Sequence, residues 1–540
     1  MKKREAKEMK RKRGAAVAAS ALLVAITAGG SALAQRPGGI LKMYVWDNPP
    51  SMSMLDGVNP IGQRVTMGVF NNLIMFDQHV KQSSLKSIVP DLATGWSWNE
   101  EGTALTLPLH QGVKWHDGKP FTAKDVQCTW DLLLDKSSDK LRVNPIKSWY
   151  PNLEEVTTNG DYEVTFHLKR PQPAFLMLLA NGFGAIYPCH VPAREMRQHP
   201  IGTGPFKFVE FKPNERIKVA RNADYWKKDR PYLDGIEFTI IRNMSTATLA
   251  FISGALDMTF PTTLTMPLLK EVRTQKPDAN CELTPNGGIN SHLLVNPDKP
   301  PFDSPDLRHA MALSLDRKAF IDILSEAQGE IGGVLQPPPE GLWGMPPDLL
   351  KELPGYNPDV QKNRAQARRI MEQMGYGPDS RLKIKVSTRD HPDFRGPAVI
   401  LIDQLKEVYF DGELETIDTT VYYPKILRKD YTVALNNSQS GPDPDPILDA
   451  FYRCGSSQNL NGYCNQEVDK LIERQSIEGD PERRKQLVWA IERMLAEDGA
   501  RPIIFYNRYG TCWQPYVKGL TIMVDSIHNG NRMEDVWLDR

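Results

Sequence analysis

Beyond its first 34 residues the chain continues for about 500 more, past the size at which a single hydrophobic core stops growing. The polypeptide must therefore divide into two or more lobes. No internal repeat or low-complexity tract offers a solenoid instead. The Pro-rich stretches Gln336-Pro-Pro-Pro-Glu340 and Met345-Pro-Pro347 read as a surface excursion and not as a domain linker. Strand and helix patterns are mixed without regular βαβ alternation, which predicts an α/β (mixed α+β) architecture.

Residues 1–34 are set aside because they read as a targeting segment. Residues 2–13 carry eight Lys/Arg against two Glu, Gly14 to Ala34 is mainly apolar, and Ala32-Leu33-Ala34 is a small-residue cleavage site. A permanent membrane anchor is the competing reading. Against it, Gly29-Gly30 and Ser31 interrupt the apolar part and no second hydrophobic span follows. No Cys stands at the expected cleavage point to take a lipid, and Arg11-Lys12-Arg13 contains no adjacent arginine pair. The expectation is general secretion, cleavage near Ala34, and a protein free in the periplasm. Taking 8 basic and 2 acidic residues from 66 of each leaves 58 against 64, a net charge of −6. A mildly acidic chain with no basic run has no electrostatic footprint for nucleic acid.

The stretch from Leu92 to Val126 has the clearest local pattern. Trp96 and Trp98 open a short strand, Asn99-Glu-Glu-Gly102 turns it, and Leu105, Leu107 and Leu109 then line one face of a second strand. Asp117-Gly118 marks another turn, and Thr122 with Asp125 forms a capping box for a helix bearing Val126, Trp130 and Leu133. Ile40 to Trp46, Tyr162 to Leu168, Phe206 to Val219, Gly235 to Arg242 and Lys383 to Ser387 read as strands. Thr246 to Ser253, residues 362–374 and Ala398 to Val408 read as helices. Pro285-Asn-Gly-Gly288 reads as a turn that opens a new lobe. Ser304-Pro305 opens a helix with Ala310, Leu313, Phe320 and Ile321 on its apolar side. Asp480-Pro481 caps a last long helix with Leu487, Ile491 and Leu495 on one stripe, stopped at Gly499. Ile503 to Tyr506 is the expected return crossing, and the tail from Gln514 rejoins the first lobe. Cys454 and Cys464 bracket a turn-rich loop that can close on itself as a disulfide. A metal site is the alternative there, without a Cys-x-x-Cys or a nearby His in its favour.

The wording of several segments resembles the family 5 extracellular solute-binding proteins of ABC importers, which include peptide-, nickel- and opine-binding members. The resemblance runs from Leu92–Val126 through Ile201-Gly-Thr-Gly-Pro-Phe206, Arg221-Asn-Ala-Asp-Tyr-Trp226 and Arg230-Pro-Tyr-Leu-Asp234. It continues in Pro300-Pro-Phe-Asp303, Arg308, Asp316-Arg317, Pro502 to Tyr506 and Val517-Lys-Gly519. It implies a two-lobe periplasmic binding protein with discontinuous lobes and a hinge-bending cleft. Lobe I is expected at 35–284 and 515–540, with an inserted subdomain at about 76–188, and lobe II at 285–514. Cys281 and Cys512 fall where the two interlobe crossings should run and are expected to pair, leaving Cys128 and Cys189 for each other.

The same resemblance suggests where ligand would lie. Ser51 and Ser53 would face the cleft from lobe I, with Trp46 as an apolar wall or simply a core residue. Arg389, His391 and Arg428 would face it from lobe II, where an arginine can clamp a carboxylate, although Arg428 sits in a charge run. The polar, proline-stiffened stretch Asn436 to Pro446 is the main candidate, with Asn436, Ser438, Gln439, Ser440 and Asp443 as ligand contacts. A solvated Asp/Pro turn is the alternative. Peptide-binding relatives place an amine-anchoring Asp four residues before a proline of this stretch; counted from Pro446, that place is Pro442, with Asp443 one residue later.

No Gly-x-Ser-x-Gly elbow, His-Glu-x-x-His or phosphate loop appears, so neither catalytic residues, a cofactor nor a metal is expected. The expected function is capture of a small organic solute or peptide by a monomer and delivery to an inner-membrane ABC permease with its ATPase subunits. A ligand-presenting sensory receptor of the same fold is the alternative, and a periplasmic hydrolase is the rival from another class.

Overall fold

The alternating run after Thr103 becomes the strand Ala104–Pro108, with Leu105 and Leu107 fully buried. It lies between Ser97–Trp98 and Glu163–Leu168 in a four-stranded antiparallel sheet bounded by Leu153–Thr158. Thr122 and Asp125 form the reciprocal capping box, and helix Ala123–Leu133 packs on this sheet with Val126, Trp130 and Leu133 buried. The computed structural model describes residues 35–56, 60–144, 146–439, 441–456, 458–524 and 532–540. The expected targeting segment, 1–34, and Ser440 lie outside the described residues.

A second sheet orders Ile40–Val45, Gly235–Ile240, Arg216–Arg221 and Phe206–Lys212, with only the first pair parallel. Its apolar side chains join those of the 97–168 sheet in one large core, which Val517, Val536 and Leu538 also enter. A third sheet has five strands in the order Phe410–Ile417, Leu382–Arg389, Val433–Gln439, Asn280–Val295, Ile503–Trp513. Residues of helices Pro305–Leu313, Arg317–Ser325 and Pro392–Lys406 form a separate core with this sheet. Helices Asp445–Tyr452, Gln466–Ile477 and Pro481–Glu497 share a further one. The molecule is thus a mixed α/β protein of two lobes.

Two long strands, Asn280–Val295 and Ile503–Trp513, tie the lobes together. Cys281 and Cys512 are direct cross-strand partners, with Cys512 in the first core, while Leu293 and Phe505 enter the second. The turn expected at Pro285-Asn-Gly-Gly288 is absent, because these residues continue the strand. Pairing jumps there from Pro285–Arg508 to Asn290–Tyr506, so residues 286–289 face residue 507 alone. Gly288 tolerates the irregularity at φ +67°. All three expected disulfides are present: Cys128–Cys189, Cys281–Cys512 and Cys454–Cys464.

Two other expectations change. The helix opened by Pro305 stops at Leu313, and Phe320 and Ile321 belong to a second one, Arg317–Ser325. Asp316 separates them by accepting the Ala319 N–H at 3.0 Å as the second helix's cap. In Pro481–Glu497 the buried residues are Arg484, Val488, Ile491, Glu492 and Leu495, with Leu487 only half-buried.

Candidate ligand-binding cleft

The polar run from Asn436 to Gln439, expected in a loop, stays in the third sheet. Val433–Gln439 pairs with Val295–Ile289 on one side, and Val433 and Ala434 pair with Val386 and Ser387 on the other. Asn436 therefore sits opposite His292, and Ser438 opposite Asn290. Ser438 donates to Asn290 Oδ1 at 3.2 Å, and His292 Nδ1 meets the same oxygen at 3.0 Å. Asn290 Nδ2 donates to Tyr506 Oη at 3.3 Å, and Tyr506 donates to the Gly333 carbonyl at 2.9 Å. At the other end of this file Arg501 Nη2 lies 2.7 Å from His292 Nε2. A guanidinium only donates, so His292 accepts at Nε2 and carries its proton on Nδ1. Burial, followed by the Arg501 charge, pushes the His292 pKa well below its usual range.

Past Gly441 the prolines of Pro442-Asp-Pro-Asp-Pro446 fix the backbone and lead into helix Asp445–Tyr452. Asp443 is fully engaged. Its two oxygens take Arg484 Nη1 and Nη2, each at 2.7 Å, and Oδ1 also accepts the Asp445 N–H at 2.9 Å. Only 4% of Asp443 and 2% of Arg484 is exposed. Burial alone would lower the Arg484 pKa, but Asp443 outweighs it and holds the guanidinium above its usual value. Arg484 also lies over the Trp343 ring at 4.6 Å, and Trp343 Nε1 donates to the Pro442 carbonyl at 3.0 Å. Asp445 is engaged as well. It accepts from Gln475 Nε2 at 2.7 Å, Ser476 Oγ at 3.0 Å and Gln172 Nε2 at 2.6 Å. Burial, reinforced by the Asp443 charge, raises the Asp445 carboxyl above its usual range.

Gln172 comes from the other lobe, so the start of this helix is a place where the two lobes meet. Beside it, Gln82 and Ser83 of the first lobe face Gln336, Trp343 and Pro442 across a cavity of about 20 Å³, room for roughly one water molecule. Gln82 Nε2 also donates across the gap to the Glu340 carbonyl.

The remaining candidates are more scattered. Ser51 and Ser53 are buried and order their own segment: Ser51 Oγ accepts the Ser53 N–H at 3.1 Å, and Ser53 Oγ lies 2.8 Å from Tyr187 Oη. Trp46 is half-buried, edge-on to Phe260 at 5.3 Å. Arg389 ends a strand with its guanidinium 5.3 Å from the Phe394 ring and 5.9 Å from that of Tyr423. His391 caps helix Pro392–Lys406, accepting the Asp393 N–H at 3.3 Å, and burial lowers its pKa. Arg428 is exposed just beyond helix Thr419–Leu427. Among the described residues no cluster of three His, Cys, Asp or Glu side chains is placed to hold a metal ion.

Sequence reasoning missed Gln172, Asn290, His292, Trp343, Arg484 and Arg501. One signal was available. Arg484, Val488, Ile491, Glu492 and Leu495 share helical spacing, and ionisable groups on a mostly apolar stripe call for buried partners.

Residues 87–459 match the model of the bacterial extracellular solute-binding proteins, family 5 middle. The di/tripeptide-binding protein 1 of Pseudomonas aeruginosa is 25% identical over 457 residues, 79% of this chain and 81% of that protein. The periplasmic binding protein DppA of Helicobacter pylori, solved with the peptide STSA, superposes with a TM-score of 0.80 at 22% identity, covering 94% of this chain and 99% of that one. The binding protein AgaA of A. tumefaciens, solved with agropinic acid, gives a TM-score of 0.77 at 19% identity, covering 93% and 99%.

Proposed function

The chain belongs to the family 5 bacterial extracellular solute-binding proteins, and on that premise we propose that it captures a small organic solute between its lobes and hands it to an inner-membrane ABC permease. The observation that carries this reading is the convergence of both lobes on the start of helix Asp445–Tyr452, where Gln172 reaches across to Asp445. A ligand that touches both sides favours the closed arrangement by its differential affinity. In this reading the protein is a periplasmic monomer released by cleavage near Ala34, it turns over no substrate, and its lobes divide at 35–284 with 515–540 and at 285–514.

The relatives named above are described with di/tripeptides, a peptide and agropinic acid, so one fold holds chemically different cargoes. For this chain the ligand end that meets helix Asp445–Tyr452 is proposed to lack a free amine. Asp443 is closed off by Arg484 and Asp445 by three donors, which leaves neither carboxylate open to an ammonium. Peptide-like acids or conjugates remain within the class. Trp46 is proposed as an apolar wall, Ser51 and Ser53 as the lobe I edge, Arg389 and Arg428 as cationic contacts, and His391 as a neutral polar contact beside them. Asn436, Ser438, Gln439 and Ser440 are proposed to line the lobe II side.

The test is native mass spectrometry of protein taken from periplasm, followed by scattering with and without the co-purified solute. One solute per chain and a smaller radius of gyration when bound are expected. Steady turnover of that solute, or an unchanged radius, would overturn the reading.

A further inference from the structure

We propose that Arg501 forms the heart of a buried pocket in the second lobe for one small anion, a carboxylate group or a halide ion. The proposal does not depend on solute capture by the cleft.

Arg501 is only 3% exposed. One of its nitrogens, Nη2, is bonded to His292, while Nε and Nη1 are buried with no hydrogen-bond partner. Neither its hydrogen-bond partner nor the rings against it supply a negative charge. His292 uses Nε2 as an acceptor and is neutral. The rings of Phe451 and Tyr452 lie 4.7 Å and 5.9 Å from the guanidinium, and the Tyr452 hydroxyl also interacts with it. Among the described residues Arg501 makes no ion pair, and a buried cation without one is strongly disfavoured.

Two further observations point to a missing group. Arg501 lines a cavity of about 20 Å³, space for roughly one water-sized particle. Arg317 lines the same cavity; it donates to the Ile503 and Gly355 carbonyls at 2.8 Å and 2.6 Å, lies over the Tyr356 ring at 3.8 Å, and makes no ion pair among the described residues. Glu492 is the carboxyl that also borders the cavity, but its oxygens are taken by the N–H groups of Leu335 and Met345, at 2.9 Å and 2.8 Å. It makes no ion pair with either arginine.

The probes are sodium bromide and sodium acetate, applied to crystals of the mature protein and to its thermal unfolding at matched ionic strength with a bulky sulfonate salt. Expected are an anomalous bromide peak within hydrogen-bonding distance of Arg501 Nε or Nη1 and a bromide-dependent rise in Tm. Both should vanish in Arg501→Met. If that variant fails to fold, Arg501→Lys keeps the charge without the fork, and its bromide affinity should fall at least tenfold. Loss of the peak on adding acetate assigns the pocket to carboxylates, and its persistence assigns it to free halide. A pocket holding only water, or equal bromide responses in wild type and Arg501→Lys, overturns the proposal.

Discussion

Arg484 and Arg501 lie in the same lobe, both almost wholly buried, yet their surroundings are opposite. Arg484 meets a bidentate carboxylate, an aromatic face and a helix-terminal carbonyl, so its charge is balanced within the fold. Arg501 meets a neutral imidazole and two rings and has no ion pair among the described residues. The first arrangement is complete without ligand, and its work is to fix the backbone that leads into helix Asp445–Tyr452. The second is unfinished. Acidic residues near a binding cleft are thus poor guides to what it binds until their internal partners are known, because Asp443 is spent on architecture.

The largest expected effect comes from breaking the finished pair. Arg484→Met leaves Asp443 buried alone and should cost about 3–5 kcal/mol in urea unfolding, much of it recovered when Asp443→Asn is added. Equal losses in the single and double variants would show that the pair does not act as a unit.

Glu492 tests how the lobe handles a buried charge with no cation. Burial pushes its pKa up to about 7 from 4.5, although backbone N–H groups pull it back. The folded-state value lies above the unfolded one, so its contribution is fully present below about pH 4.5 and is lost as the pH rises through about 7. Stability should therefore fall by about 3 kcal/mol across that window from this group alone, and Glu492→Gln should flatten the fall. An unchanged profile in the variant would refute the assignment.

How much of this could be read from the chain differs between fold and site. The Thr122 capping box, the Leu105 and Leu107 alternation and the Asp480-Pro481 helix start were legible because each is decided by residues within one element. The break between Leu313 and Arg317 was not, since Ala310, Leu313, Phe320 and Ile321 keep helical spacing across it. Pro285 to Gly288 carries every mark of a turn, but pairing with Ile503–Trp513 on both sides of the irregularity keeps it in a strand. Polar Asn436 and Ser438 stay in the sheet for the same non-local reason. The site was less legible still, because Gln172 and Asp445 are 273 positions apart. A sequence lists carboxylates without saying which are already taken.

Smaller effects sharpen the contrast. Gln172→Leu removes one of three donors to Asp445 and should cost about 1 kcal/mol. The unliganded protein should also expand in scattering, because the same bond ties the lobes together. A variant as compact as wild type would locate closure elsewhere. Arg501→Met should cost no more than about 1–2 kcal/mol in halide-free buffer, since removal of the unpaired charge offsets the loss of the donor to the buried His292 Nε2. A loss as large as that of Arg484→Met would mean that Arg501 is already balanced.

The most direct test of the claim that Asp443 is architectural and the cleft takes no free amine is calorimetry of the mature protein with matched libraries of di- to pentapeptides, free and N-acetylated. Weak or absent binding of the free-amine set is predicted, with Asp443→Ala losing stability and gaining no selectivity. Submicromolar binding of free-amine peptides that disappears in Asp443→Ala, with the variant still folded, would contradict it.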